Sequence, residues 1–545
     1  MKSLVLDGYT DEPSCLGVPP YISPYVRLAY GAMRDAGLDV EYGTIDMWRS
    51  GLLDLNRYDL LFAIRHIAVP GKYLRGMPAS DRELRMIGEG FRGRSLVSLG
   101  NVSGVFRANA ADFYDNCVQG DPDAYIYDLL VGKEATGRRR TDAEWSRWSL
   151  KGAEACMQHP DYGGPLIAEI QMYRGCVRFR SGGCDFCIEP LQGEPQFRAP
   201  KDIVAESETL ARAGVSNLRL GAQTCVYSYM AKGIGETDTP LPNNETVEKL
   251  LRAIGESARP TVFHLDNANP AVIAAHPRES LKITKAIARY CTGGNVLALG
   301  LESADPTVAR ENNLNSTAED AIAAVRMINE VGSSRGPTGM PLVLPGINFL
   351  CGLKGETKET YSMNGEFMKA LLYEGFLVRR TNIRQVIPVR SDFPGVRHRA
   401  AFSRFKRFVR EDVDLPMLER IVPDSTILTS VYTELREGGR TFGRQVGTYP
   451  LLIGLPYSYE IGTWVNVAVT GRGPKSVIGI VHPTPVNTSS LSMLEAVPGI
   501  GKRRAMVIVR QRPFTNEHDL RRSLGDDPSA QAAMKLLSID SVRTE

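Results

Sequence analysis

Apolar positions recur along the chain with two periods. Val26, Leu28, Ala29, Ala32 and Met33 fall at helical spacing over 24–36, and Gly37 is a natural stop. Around them, 2–7, 40–45 and 59–63 read as short strands, so the first part of the chain predicts a small Rossmann-like, doubly wound α/β domain over 1–150. The polar, basic stretch 134–150 reads as a link to the next domain. From 160 to 395, apolar runs at 166–171, 217–220, 261–265, 296–301, 346–351 and 381–387 alternate with helical periods at 200–213, 244–254, 279–290, 318–331 and 358–373. Repeated strand-then-helix of this length predicts a parallel sheet curled into a full or partial barrel, with reactive groups at the carboxyl ends of the strands. Over 430–482 the pattern changes. Val465, Val467 and Val469 alternate between glycine turns, which predicts a small antiparallel β-barrel. The last part, 489–545, is helical around a glycine turn.

Composition adds limits. With 545 residues, 43% hydrophobic and 23% charged, the chain can form several packed domains. A net charge of +3 leaves room only for local basic patches as nucleic-acid contacts. No run of about 18 apolar residues is present, and the opening MKSLVLDGYT reads as a strand rather than a signal peptide. Nine cysteines, mostly scattered, fit a reducing, cytoplasmic setting better than a disulfide framework.

The chemistry concentrates at Cys176, Cys184 and Cys187, in a glycine-rich loop after the first strand of the large domain. Three thiolates on a four-iron cluster leave one iron open to a ligand with amino and carboxylate groups. Zinc would want a fourth Cys or His, and the nearest histidine is His159. Cys184-Asp-Phe186-Cys187 resembles the radical-SAM superfamily pattern, although the first gap, seven residues, is longer than the usual three. That resemblance implies a [4Fe-4S] cluster on Cys176, Cys184 and Cys187, with S-adenosylmethionine (SAM) cleaved to methionine and a 5′-deoxyadenosyl radical. Phe186 and Ile188 then flank the cofactor. Three later segments match in order. They are Gly221 and Gln223 after the second strand, Glu302 and Ser303 after the fourth, and Gly346 to Gly352 on the fifth. They resemble the groups that contact the SAM amine, ribose and adenine.

Two accessory signals follow. Pro498-Gly499-Ile500-Gly501-Lys502-Arg503-Arg504 resembles a helix–hairpin–helix, whose glycines let the backbone approach a phosphate. The preceding barrel resembles the TRAM module of radical-SAM tRNA methylthiotransferases. Together they imply a nucleic-acid partner, tRNA first, with methylation or methylthiolation as the outcome, and an electron donor such as ferredoxin or flavodoxin. The rivals are a DNA-directed repair enzyme, a nucleic-acid-binding protein with a structural cluster, and a radical enzyme acting on a protein or small molecule. Residues 1–150 carry a further choice. Their opening resembles cobalamin-binding domains, but His66 lacks the neighbouring Asp and Gly of a cobalt ligand. The other choice is a second [4Fe-4S] cluster on Cys15, Cys117 and Cys156, as in methylthiotransferases. A third is a domain that only supports or gates the core. Cys225, Cys291 and Cys351 lie in apolar elements and read as core thiols.

Overall fold

The computed structural model describes residues 1–9, 20–65, 74–91, 97–101, 111–118, 120–473 and 475–539. The first sheet contains β1 (Lys2–Asp7), β3 (Asp39–Thr44), β4 (Leu60–Arg65), β5 (Val97–Asn101) and β6 (Asn116–Cys117), all parallel, in the order β3-β1-β4-β5-β6. This is a doubly wound sheet whose direction of winding reverses between β1 and β4, where such sheets form a ligand crevice at the strands' carboxyl ends. His66 and Cys15 lie outside the described residues.

The strand β2 (Tyr21–Ile22) does not join this sheet. It pairs in parallel with β7 (Ile167–Gln171) of the core, so the first segment of chain is woven into the core sheet. Beyond β7, a short ribbon of β8 (Tyr173–Arg174) and β9 (Gln196–Phe197) brackets the cysteine loop. The core continues through β10 (Asn217–Gly221), β11 (Val262–Leu265), β12 (Asn295–Glu302), β13 (Val343–Cys351) and β14 (Arg380–Gln385). One sheet runs β11-β10-β7-β2 and the other β12-β13-β14, and a parallel bridge from Ala268 to Leu299 joins them. The result is a partial barrel with β14 at its open edge. Helices such as Pro200–Arg212, Asn244–Ser257 and Ala318–Gly332 form at the spacings the sequence gives them, each burying one apolar stripe.

The linker expected at 134–150 is not one. Asp142–Lys151 is a helix with a Thr141/Glu144 capping box, and Trp145 and Trp148 are 1% and 0% exposed. The basic residues that made the stretch look solvated are paired. Arg138 bridges Asp128 and Glu144, and Arg140 bridges Asp123. This helix crosses Pro24–Asp35 at a glycine contact, where a Cβ on Gly31 would lie 2.0 Å from the Trp148 carbonyl oxygen. Trp148 also donates from Nε1 to Asp35 at 3.0 Å. Trp148→Ala is therefore expected to cost about 3–5 kcal/mol, read as a lowered chemical-denaturation midpoint.

After the core, helices Arg399–Phe408 and Leu415–Ile421 lead to a closed barrel of β15 (Ile427–Glu437), β16 (Arg440–Gln445), β17 (Leu452–Leu455), β18 (Trp464–Arg472) and β19 (Ser476–Val481). Its β16–β17 turn reaches the core, where the Thr448 amide donates to His264 Nδ1 at 2.8 Å. The helices Leu491–Glu495 and Gly501–Gln511 pack on this barrel through one shared apolar cluster. Among the described residues no helix is long and apolar enough to cross a membrane.

Candidate functional site

The loop between β8 and β9 turns sharply at Gly182 and Gly183, with φ of 82° and 61°. A Cβ on Gly183 would meet the Pro190 ring at 2.3 Å, so both the left-handed backbone and the close approach require glycine there. The turn gathers Cys176, Cys184 and Cys187, which are free and half-buried. They lie within electrostatic reach of one another. Burial first, and then the charge of Cys184, raise the Cys176 thiol to about 11. Burial, Glu189, Cys184 and Cys176 all push Cys187 upward.

Elements distant in sequence hold this loop. Arg390, in the loop after β14, donates through Nη1 to the carbonyls of Gly182, Cys184 and Cys187 at 2.6, 3.3 and 3.4 Å. Asn313 donates to the Ser181 and Gly183 carbonyls at 3.2 and 2.8 Å. Lys354 pairs with Asp185 at 2.8 Å, and the Asp185 amide donates to Asn312 O at 3.0 Å. Arg178 brings positive charge to the sulfurs, with its amide 3.5 Å from Cys176 Sγ and its Nη1 3.3 Å from Cys184 Sγ. A guanidinium there favours the thiolate forms that iron needs.

No set of three or more His, Cys, Asp or Glu among the described residues is arranged to hold a single metal ion. His159, the histidine a zinc site would want, is buried elsewhere. It stacks on Tyr42 and accepts from the Asp161 amide at 3.0 Å, and burial lowers its pKa to about 3. Three thiols within mutual reach, beside a cation and with no fourth ligand, fit a cluster that leaves one metal corner open.

Two strand ends lie near the cysteine loop, one of them through Thr224, next to Gln223, where Thr224 Oγ1 donates to Gly175 O at 3.2 Å. Glu302 ends β12 with φ of 66°, and burial lifts its carboxyl to about 8 against the pull of Arg384. Its charge bears on Cys184, which ties the fourth strand to the cysteine loop. Ser303 is buried and accepts from the Asp305 amide at 3.2 Å. Gly221 ends β10, where a Cβ would strike Glu169 Oε1 at 1.9 Å. Gln223 is 4% exposed and donates to Leu220 O at 3.1 Å, and its buried Oε1 has no hydrogen-bond partner. Such an acceptor awaits an amine or hydroxyl. Phe186 and Ile188 flank Cys187, half-buried. Gly352 has φ of 90°, and a Cβ there would lie 2.9 Å from Gly395. Glu356 closes this loop by accepting from the Gly352 and Leu353 amides at 2.7 and 3.2 Å. Gly346 lies apart from this group. It is mid-strand, paired with Ala298 and Arg380, well before the carboxyl end of β13. An open cavity of about 450 Å³ lies beside the loop, lined by Lys354, Asp392, Phe393 and Arg397.

Sequence reasoning missed Arg178, Asn313, Lys354 and Arg390 as supports of the loop. Only Arg178 carried a local signal, two positions after the first cysteine.

The other thiols divide as their surroundings dictate. Cys225, Cys291 and Cys351 are buried in the core. Cys156 is 0% exposed in the same core, while Cys117 sits half-buried on β6.

In the C-terminal hairpin, Lys502 and Arg503 are exposed at the start of Gly501–Gln511. Gly501 has φ of 58° and open space around it. Gly499 serves packing, since a Cβ would lie 2.3 Å from Ser529 O. Arg504 is held inside the hairpin region. It contacts Asp527 and donates to Gly499 O at 2.6 Å and Leu524 O at 3.0 Å.

A family model described as the Radical SAM superfamily matches residues 170–360. An uncharacterized protein of Methanocaldococcus jannaschii is 42% identical over 88% of this chain and 93% of its own length. One from Archaeoglobus fulgidus is 38% identical over 95% of this chain and 97% of its own. Among solved structures, the radical S-adenosylmethionine methyltransferase TsrM from Kitasatospora setae, with cobalamin and a [4Fe-4S] cluster bound, is 15% identical. It has a TM-score of 0.49 and covers 70% of this chain and 72% of that one.

Proposed function

Since residues 170–360 match the radical SAM superfamily, whose domain implies an enzyme with a [4Fe-4S] cluster and SAM, we propose that the substrate of this chain is a nucleic acid, tRNA first, which it methylates or methylthiolates. When bound, the cluster and SAM supply the electron and the reductively cleaved sulfonium that such chemistry needs. The chain's own residues do the rest. Cys176, Cys184 and Cys187 hold the cluster as thiolates, and Arg178 favours that state. Gln223 and Glu302 offer polar groups to the amino-acid and ribose ends of SAM, while Gly221 keeps its strand end free of a side chain.

The observation that supports nucleic acid is the hairpin. Its glycine turn leaves backbone N–H groups and two exposed cations, Lys502 and Arg503, at the start of an 11-residue helix. A closed five-stranded barrel stands next to it, a module that suits single-stranded RNA. Cobalt found with iron in anaerobically purified protein would add cobalamin to the cofactors.

The test is fluorescence anisotropy with tRNA and duplex DNA across a salt series. Lys502→Glu with Arg503→Glu is expected to weaken tRNA binding about tenfold or more and to make the salt slope shallower by about 2. Unchanged affinity would sink the assignment. Tighter binding of duplex DNA than of tRNA would transfer the reading to a DNA substrate.

A further inference from the structure

Residues 379–410 hold ten Lys and Arg against a single acid, Asp392, in a chain whose net charge is only +3. Neither the cluster nor the hairpin explains this run. It folds as β14 at the barrel's open edge, the loop that returns over the cysteines, and helix Arg399–Phe408. Some of its cations have structural duties. Arg379 donates to the Tyr449 and Pro450 carbonyls at 3.1 and 3.3 Å, Arg390 holds the cysteine loop, and Arg380 lies 4.8 Å from the Tyr449 ring centroid.

Among the described residues, no ion pair holds Arg384, Lys406, Arg410 or Lys475. Arg384 sits on β14 opposite Leu350, and its charge reaches Glu302. The charge of Lys406 reaches Cys351, at the end of β13. Arg410 is exposed, and so is Lys475 in the turn between β18 and β19 of the small barrel. Desolvation comes first in lowering the Lys475 pKa; Asp414 opposes it, and Arg410, Arg380 and Lys406 add to it. The segment Val409–Asp414, which carries Arg410, packs against β14, and Arg472, three positions before Lys475, donates to Val422 O at 3.0 Å, so the cations form a band from the mouth of the partial barrel to the small barrel's turn. Gathering like charges costs free energy; Glu411, Asp412 and Asp414 follow the run, and Asp414, which bears on Lys475 and Arg410, offsets part of that cost.

We infer that this band, running from Arg384 on β14 through Lys406 and Arg410 to Lys475, seats the phosphodiester backbone next to the nucleotide that reacts. The inference rests on the nucleic-acid reading above and deepens it. The hairpin grips a remote part of the strand, and the band delivers the target to the barrel mouth. A single small anion would need one pocket, whereas this charge is spread over two modules, as a repeating backbone charge demands. Exposed basic groups beside a small barrel suit an unpaired strand.

The experiment uses the full chain and a labelled single-stranded RNA of about 8 nucleotides, within the length that one small barrel covers. The band variant K406Q/R410Q/K475Q is compared with wild type and with the hairpin variant K502E/R503E. The band variant is expected to bind the short strand about tenfold or more weakly, with a salt slope shallower by about 2 to 3, a larger loss than the hairpin variant shows. Iron content and melting temperature, matched to wild type, confirm its fold. Photo-crosslinking of a 4-thiouridine strand to the wild type gives an answer independent of any variant, with adducts expected within 380–410 or at Lys475. Wild-type affinity in the band variant, or adducts confined to 490–512, overturns the inference and leaves the hairpin reading standing. Unchanged tRNA binding in the hairpin variant overturns that reading instead, and wild type that binds neither RNA removes both.

Discussion

Cys184→Ala is expected to abolish SAM cleavage, with 5′-deoxyadenosine at background after anaerobic reconstitution and iron well below four per chain. Cys184 lies in the turn that gathers Cys176 and Cys187, within electrostatic reach of both. It is also the sulfur that Arg178 Nη1 approaches at 3.3 Å. Two remaining cysteines would leave a second iron without a protein ligand, and the cluster's hold on the loop would fall with its thiolate count. A small side chain at a half-buried position removes little packing, so the fold should survive and the loss be chemical. A variant that still made 5′-deoxyadenosine at the wild-type rate would refute the ligand assignment.

Arg390→Ala is expected to lower cluster retention about 10–100-fold without touching any ligand. One guanidinium nitrogen serves three carbonyls of the cysteine loop, those of Gly182, Cys184 and Cys187. Ser391 adds a hydrogen bond to Asp185 O at 3.3 Å. Removing the arginine leaves these acceptors without their charged donor, and the loop loses its tie to the last strand of the barrel. The readout is iron loss to a chelator over time, together with the cluster's electron paramagnetic resonance line shape. Arg390→Lys should rescue only partly, because an ammonium lacks the planar fork. Chelator kinetics like those of wild type would show that the loop needs no such support.

The positions of the core strands were readable because each is a short apolar run bounded by polar residues and followed by a helical period. The run read at 166–171 is Ile167–Gln171, and that at 217–220 is Asn217–Gly221. The helix Asp142–Lys151 was misread because its charged residues looked solvated. Trp145 and Trp148, three apart behind a Thr141–Glu144 cap, were the available signal. The path of β2 was not readable. Two residues carry no period, and their partner strand lies more than a hundred positions away.

The sequence by itself determined the local chemistry: three cysteines in a glycine loop, the strand-helix alternation around them, and the basic glycine turn near the end. These are set by residue type and spacing over a few positions, which is the range of backbone preference and side-chain period. The tertiary structure alone decided what holds that chemistry in place. Arg390, Asn313 and Lys354 reach the cysteine loop from more than a hundred residues away. Arg504, alike in sequence to Lys502 and Arg503, turns inward to Asp527. Arg380, Lys406 and Arg410 come within electrostatic reach of Lys475 only because two modules pack side by side. Such contacts depend on how elements are brought together in space, and no local pattern encodes which of several similar cations will find a partner.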